Sequence, residues 1–245
     1  MSKYICVLDF EANCAEDLKA SKMDNEIIEF PSVLWKYEDK TLDILSPTEI
    51  GAKTMTKIAE FQMFCKPKNT PILTDFCKDL TKINQEQVDN GISFYEALKH
   101  HEKWLKINIS NFDTEVANGN VIVATCGHWD LAVMAPKEYK NYNIVDMHDI
   151  YLRYTNVKDE CYTFYNHDSK YDYKYGMDWM LKYLGLTLEG THHSGIDDCR
   201  NISKILIKMF QDGYKYEQLK INHVVLSKKL TKSIEEFKSS NLKLL

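Results

Sequence analysis

The chain has 245 residues, 44% of them hydrophobic and 12% aromatic, with a formal net charge of −5. That length can bury a substantial core as one α/β domain or two small ones, and that charge excludes a globally basic nucleic-acid binder, so a nucleic acid would have to meet a local basic surface. No run of about 18 apolar residues occurs, so no membrane span is expected. Asp9 and Glu11 interrupt any signal-like start, and seven cysteines without C-x-x-C spacing point to free thiols in a reducing, intracellular compartment.

Residues 4–8 (Y-I-C-V-L) read as a buried β-strand. Alternate side chains of a strand share a face, so Asp9 and Glu11, at or just past its end, point the same way, and Phe10 points into the core. Two carboxylates that close repel each other. A hard divalent cation such as Mg²⁺ relieves the repulsion, although acids also end strands simply to turn into solvent.

Residues 13–25 form a charged loop. Residues 26–35 (E-I-I-E-F-P-S-V-L-W) read as a second strand, with Pro31 marking an edge or a bulge. Residues 36–56 are polar and irregular, a hairpin connection with an insertion at 47–57, and 57–65 form a third strand stopped by Lys66-Pro67. Residues 72–82 have helical spacing, with Ile72, Phe76 and Leu80 on one stripe. Residues 93–109 form a longer amphipathic helix with Phe94, Leu98, Trp104 and Leu105 on its apolar side and a Ser93/Glu96 capping box.

Residues 121–124 are a buried strand that runs through Thr125-Cys126-Gly127 into His128-Trp129-Asp130, the opening of a helix. A short strand at 144–145, a helix over 147–155 and a long loop over 156–173 follow. Helices are expected at 177–184, closed by Gly185, and at 196–211, ended by Gly213. A Lys-rich helical tail begins at 214. Strands first, then strands alternating with helices, predict an α/β fold with a mixed central sheet flanked by helices.

Three places carry chemistry. Asp9 and Glu11 are the first. Asp130 is the second: it lies in a helix's first turn, where an acid also simply complements the helix dipole. Its neighbour Trp129 suits either the core or a base-stacking platform. The third is His193-Ser194-Gly195-Ile196-Asp197-Asp198. Ser194 and Asp197 fit a helix cap, and because adjacent helical residues point about 100° apart, Asp197 and Asp198 cannot both face one site.

In this order the segments D-F-E-A-N-C (9–14), E-I-I-E-F-P (26–31), L-T-D-F-C-K-D-L-T-K-I (73–83), Q-V-D (87–89), G-H-W-D (127–130) and H-S-G-I-D-D-C-R-N-I (193–202) resemble the DEDDh 3′→5′ exonucleases. The match is nearest to the enhanced-RNAi and histone-mRNA 3′-end exoribonuclease branch and covers roughly residues 4 to 213. It implies a ribonuclease H-like fold, with an exonuclease domain at 1–213 and a tail at 214–245 packed on or extending from it. It implies that Asp9, Glu11, Asp130 and Asp198 hold two Mg²⁺ (or Mn²⁺) ions, with Glu11 and His193 catalytic and His193 the general base. By the same match Glu11, Ala12, Trp129 and His193 contact the substrate, single-stranded RNA or RNA 3′ overhangs, and nucleoside 5′-monophosphates are released.

Two positions depart from the family pattern. Asn13 stands where Thr is usual, and Thr191 where Arg is common. Some relatives carry a nucleic-acid-binding module ahead of the catalytic domain, and with three residues before Tyr4 none is expected here. The tail lysines at 215, 220, 228, 229 and 232 suit a solvated helix face or a phosphate-tracking surface. A DNA-directed exonuclease is the nearest alternative, since no motif reports contacts to the 2′-OH. A catalytically silent RNA-binding module is a further one, disfavoured because all five catalytic-type residues are present. Protein partners are not legible.

Overall fold

The structure is a computed structural model that describes residues 2–17, 23–38, 54–165 and 176–242. Most of the expected 47–57 insertion lies outside these residues. Among the described residues seven strands form one mixed sheet. β1 (Lys3–Leu8) is its axis. It pairs antiparallel with β3 (Ile27–Glu38) on one side and parallel with β5 (Val121–Thr125) on the other. β4 (Thr54–Phe64) lies beyond β3, and β6 (Arg153–Asn156) then β7 (Asn222–His223) lie beyond β5. The two-residue β2 (Glu11–Ala12) continues along β3 after β1 has ended.

Period-two alternation in β1 divides the core between the two faces of the sheet. Cys6 and Leu8 pack with Phe30, Leu98, Leu105 and Tyr139, under α3 (Phe94–Asn108), α4 (Phe112–Ala117) and α5 (Ala135–Asn141). Ile5 and Val7 pack with Met180, Ile202, Ile205 and Leu206, under α6 (Val157–Phe164), α7 (Met177–Tyr183) and α8 (Gly195–Gln211). The Ser93/Glu96 capping box opens α3 with both of its reciprocal bonds. On the first face a buried polar residue, His101, is satisfied by Ser32 Oγ and Tyr151 Oη, each at 2.7 Å.

Several elements differ from the sequence reading. Pro31 is neither on an edge nor in a bulge: β3 is interior, and the sheet register sets Pro31 opposite Asp9, where the ladder with β1 breaks and no proline N–H is needed. The strand at 144–145 and the helix at 147–155 do not form. Ile144 and Met147 are buried anchors of a loop, a 3₁₀ turn spans Asp149–Leu152, and Arg153–Asn156 enters the sheet because β5 offers it a parallel partner. The loop expected over 156–173 begins instead with α6, capped by the Asn156 side chain, and residues 166–173 of it lie outside the described residues. Short helices α1 (Asp75–Thr81) and α2 (Gln85–Asp89) cover Ile28. In α1 the stripe of Ile72, Phe76 and Leu80 turns away from the core. Cys77 is buried instead, while Ile72 is 68% and Phe76 41% exposed, because the neighbouring cluster of Ile28, Leu73 and Val88 meets the other side of the helix.

From Lys228 to Leu242 the chain forms α9, whose Leu230 and Ile234 enter the first core cluster, while the tail lysines 215, 220, 228, 229 and 232 are exposed. Leu230→Ala should lower the unfolding free energy by about 2 kcal/mol, and Lys232→Ala should change it by less than about 0.5 kcal/mol. Urea titrations of both variants test this.

Candidate active site

β1 and β5 are parallel neighbours, so their carboxyl ends lie at one edge of the sheet, the edge where open α/β sheets bind ligands. Asp9 follows β1 there and Asp130 follows β5, in a π-helical turn, Trp129–Met134. Phe10 turns to the other face and is 4% exposed, its ring 4.7 Å from that of Phe30 at 86°. Its backbone N–H donates to Asp130 Oδ1 at 2.8 Å, which ties the two strand ends together.

Asp9 and Glu11 face α8. The start of α8 lies very close to the sheet: a Cβ on Gly195 would stand 2.9 Å from the Asp9 carbonyl oxygen and 2.7 Å from Pro31 Cγ. This close approach brings Asp198, one turn along, into the acid cluster. One carboxylate oxygen from each of Asp9, Glu11 and Asp198 lies within 4.8 Å of the others.

His193 sits at the rim with φ of 66°, and its backbone N–H donates to Asp198 Oδ2 at 2.9 Å. Its ring stacks on His192 at 3.9 Å, and His192 Nδ1 is 3.2 Å from Asp178 Oδ2. Asp9, Glu11, Ala12, Trp129, Asp130 and His193 line one cleft of about 580 Å³, where Trp129 remains 43% exposed. Every residue nominated from the sequence is therefore in or against this cleft.

The cluster is electrostatically strained. Burial, and then the charges of Asp130, Glu11, Asp198 and Glu29, raise Asp9 well above the usual carboxylate range. Burial, then Glu29, Asp198 and Asp130, push Glu11 up to about 9. Asp130 is raised by burial against the opposing Phe10 N–H. Burial pushes Asp198 up to about 7 despite the His193 N–H. Burial and His192 lower His193, which favours its neutral ring. Asp198 Oδ1 is buried and has no hydrogen-bond partner among the described residues. Hard oxygen donors, mutual repulsion and an orphaned buried oxygen are together what a divalent cation satisfies.

Two features escape the sequence reading. Ser194 makes no side-chain cap bond, and Asp197 instead accepts from the Thr191 N–H at 3.0 Å and from Arg200 Nη1 at 2.7 Å, so the expected cap at 194–197 does not form. Glu29 is the second, a buried acid beside the cluster. Its signal in the sequence is a charge inside the apolar run I-I-E-F-P, a place where an acid requires a partner. Asn13, the departure from Thr, is fully buried. Its Oδ1 accepts from the Glu26 N–H at 2.7 Å, its Nδ2 donates to the Thr70 carbonyl at 3.1 Å, and it thereby braces the loop past β2.

A mixed sheet with an acid cluster at the carboxyl ends of adjacent parallel strands is a frame suited to holding a divalent cation. Residues 6–206 match the family model described as exonuclease, and the chain belongs to that family. Within it the chain falls in the DEDDh class, in the branch of the ERI1 exoribonucleases. It is 34% identical to human ERI1 exoribonuclease 3 over 215 residues, 88% of this chain and 56% of that protein. It is 30% identical to mouse 3′-5′ exoribonuclease 1 over 228 residues, 93% of this chain and 58% of that protein. The chain thus spans less than two thirds of the curated relatives it matches. The nuclease domain of 3′hExo, a DEDDh family member solved with rAMP, superposes with a TM-score of 0.68 at 29% identity, covering 91% of this chain and 98% of that one. Dependence on a divalent cation goes with the family.

The raised carboxyls have a consequence for stability. In the unfolded chain they titrate at roughly 4, whereas in the fold burial and neighbouring acids push Asp198 up to about 7 and Glu11 up to about 9. Between those limits these carboxyls hold more protons in the folded, cation-free protein than in the unfolded chain, so their contribution to stability falls as pH rises. The Tm of chelator-treated protein should therefore drop from pH 5 to pH 9, and added Mn²⁺ should raise it most at the alkaline end. Scanning fluorimetry across that range tests this; a chelated Tm that stays flat or climbs contradicts it.

Proposed function

We propose that the protein hydrolyses phosphodiester bonds at RNA 3′ ends, removing nucleotides in the 3′→5′ direction and releasing nucleoside 5′-monophosphates. One observation carries this reading: Asp9, Glu11 and Asp198 converge to within 4.8 Å beside Asp130, with His193 at the rim of the same open cleft. Asp9, Glu11, Asp130 and Asp198 would hold two Mg²⁺ or Mn²⁺ ions, which when bound neutralise the phosphate and lower the pKa of a water molecule.

The chain's own residues do the rest. A ring nitrogen of His193, neutral at pH 7 because burial lowers its pKa, takes the proton of the attacking water. The water oxygen bonds to phosphorus, the bond from phosphorus to the penultimate nucleotide's 3′ oxygen breaks, that oxygen leaves as a hydroxyl by taking a proton from solvent water, and His193 returns its own proton to solvent. Asp198 holds the His193 backbone, and Asp130 holds the Phe10 backbone, so base and acid cluster keep a fixed spacing. Ala12 and Glu11 line the floor of the cleft, and the exposed ring of Trp129 offers a stacking face worth about 1–3 kcal/mol per base. Such stacking selects a single-stranded or frayed end. The naming of the relatives as exoribonucleases supports RNA over DNA.

With 5′-labelled single-stranded RNA and Mg²⁺, the protein should give a ladder shortened from the 3′ end. Asp9→Ala should abolish it, and His193→Ala should lower kcat by about 10²- to 10⁴-fold. No ladder with any divalent metal overturns the reading, and equal rates on a matched DNA strand transfer it to a DNA-directed exonuclease.

A further inference from the structure

Glu29 has no role in the chemistry above, yet it is the buried acid nearest to it in the sheet. It lies within β3 at 1% exposure and pairs with Glu11 across the ladder. Its Oε1 accepts from Gln62 Nε2 at 2.7 Å, and its Oε2 accepts from the Gly195 N–H at 3.3 Å. Both partners are N–H donors, so both oxygens act as acceptors.

Gly195 and Ile196 are the first two residues of α8, and the side chain of the N-cap Ser194 makes no cap bond. The orphan N–H groups at a helix start need an acceptor. Glu29 supplies it from 166 residues away in the chain, reached because Gly195 lacks a Cβ that would stand 3.1 Å from Oε2. The turn so held is the one that presents Asp198, and Asp198 accepts the His193 N–H.

We infer that Glu29 is a positioning residue for the acid cluster: it anchors the first turn of α8, so that Asp198 and His193 stay set against Asp9 and Glu11. This rests on the reading of Asp9, Glu11, Asp130 and Asp198 as the cation's ligands. A cap with a purely structural role would affect stability alone. Glu29 differs because its partners belong to the turn that carries a ligand, and outer-shell groups of that kind typically change metal affinity about 10- to 100-fold.

The test uses the full chain and two readouts: calorimetric titration with Mn²⁺ in the absence of RNA, and steady-state hydrolysis of single-stranded RNA at saturating Mn²⁺. Glu29→Leu fills the same space but leaves the Gly195 N–H without its acceptor. Its Mn²⁺ affinity should fall about 10-fold or more. Its kcat should fall as well, with the KM for RNA unchanged. Glu29→Gln keeps an oxygen for the Gly195 N–H, and the Gln62 amide can turn to present its own oxygen to the new NH₂, so this variant should fold and keep most of the Mn²⁺ affinity. Mn²⁺ affinity and kcat in Glu29→Leu within about twofold of the parent, even with a lowered Tm, or a loss in Glu29→Gln as large as the one expected of Glu29→Leu, would overturn the inference. Asp9→Ala separates the two levels: its loss of Mn²⁺ binding beside an unaffected Glu29→Leu removes only the role of Glu29, whereas unchanged Mn²⁺ binding in Asp9→Ala removes the ligand assignment beneath it.

Discussion

Mutual repulsion among buried carboxylates is the constraint around which this molecule is organised. Asp9, Glu11, Asp130, Asp198 and Glu29 crowd one edge of the sheet, and burial alone already disfavours their charged forms. Folding therefore places its least favourable electrostatics where β1 and β5 end side by side, and the two apolar cores on either face stabilise that arrangement. Such a site has a natural complement in a divalent cation. On the proposed reading, the strain among these acids would become a source of affinity when a cation binds.

Three contacts convert a strand end into a site with defined spacing. The Phe10 N–H holds Asp130, the His193 N–H holds Asp198, and the Gly195 N–H holds Glu29. Each is a backbone donor on a carboxylate, and each joins elements distant in sequence or fixes a strained turn. Backbone donors have few ways to move, so the spacing of the acids is set by the sheet and by α8 rather than by side-chain rotamers. Gly195 is the permissive residue: any Cβ there meets the Asp9 carbonyl and Pro31, and α8 could not come close enough to deliver Asp198. Pro31 has a complementary part, since it lies opposite Asp9 in the stretch of β3 between its ladders with β1 and β2.

Much of this was legible in the chain. Period-two alternation in residues 4–11 put Asp9 and Glu11 on one face and Phe10 on the other, because strand geometry allows little else. The long helices at 93–109 and 196–211 announced themselves through 3.6-residue periodicity and, for the first, a capping box that forms as written. Short elements were hidden. Residues 144–156 carry no period, and their conformation follows from the partner that β5 offers. The apolar stripe of Ile72, Phe76 and Leu80 suggested the buried side of a helix, yet it turns outward and Leu80 lines the cleft, because Ile28 and Val88 meet the opposite side of α1.

The cap of α8 marks the division between the two levels. By itself the sequence determined which residue types stand at the ends of the strands and at the start of the last long helix, since those choices are local and governed by backbone periodicity. It also carried the resemblance that nominated Asp9, Glu11, Asp130, His193 and Asp198. Only the tertiary structure decided that Ser194 and Asp197 do not cap that helix and that Glu29, 166 residues earlier, does. A local pattern scores the donors and acceptors within one turn, but a buried carboxylate already fixed in a central strand outcompetes them, because leaving it without partners would cost more than leaving Ser194 to solvent.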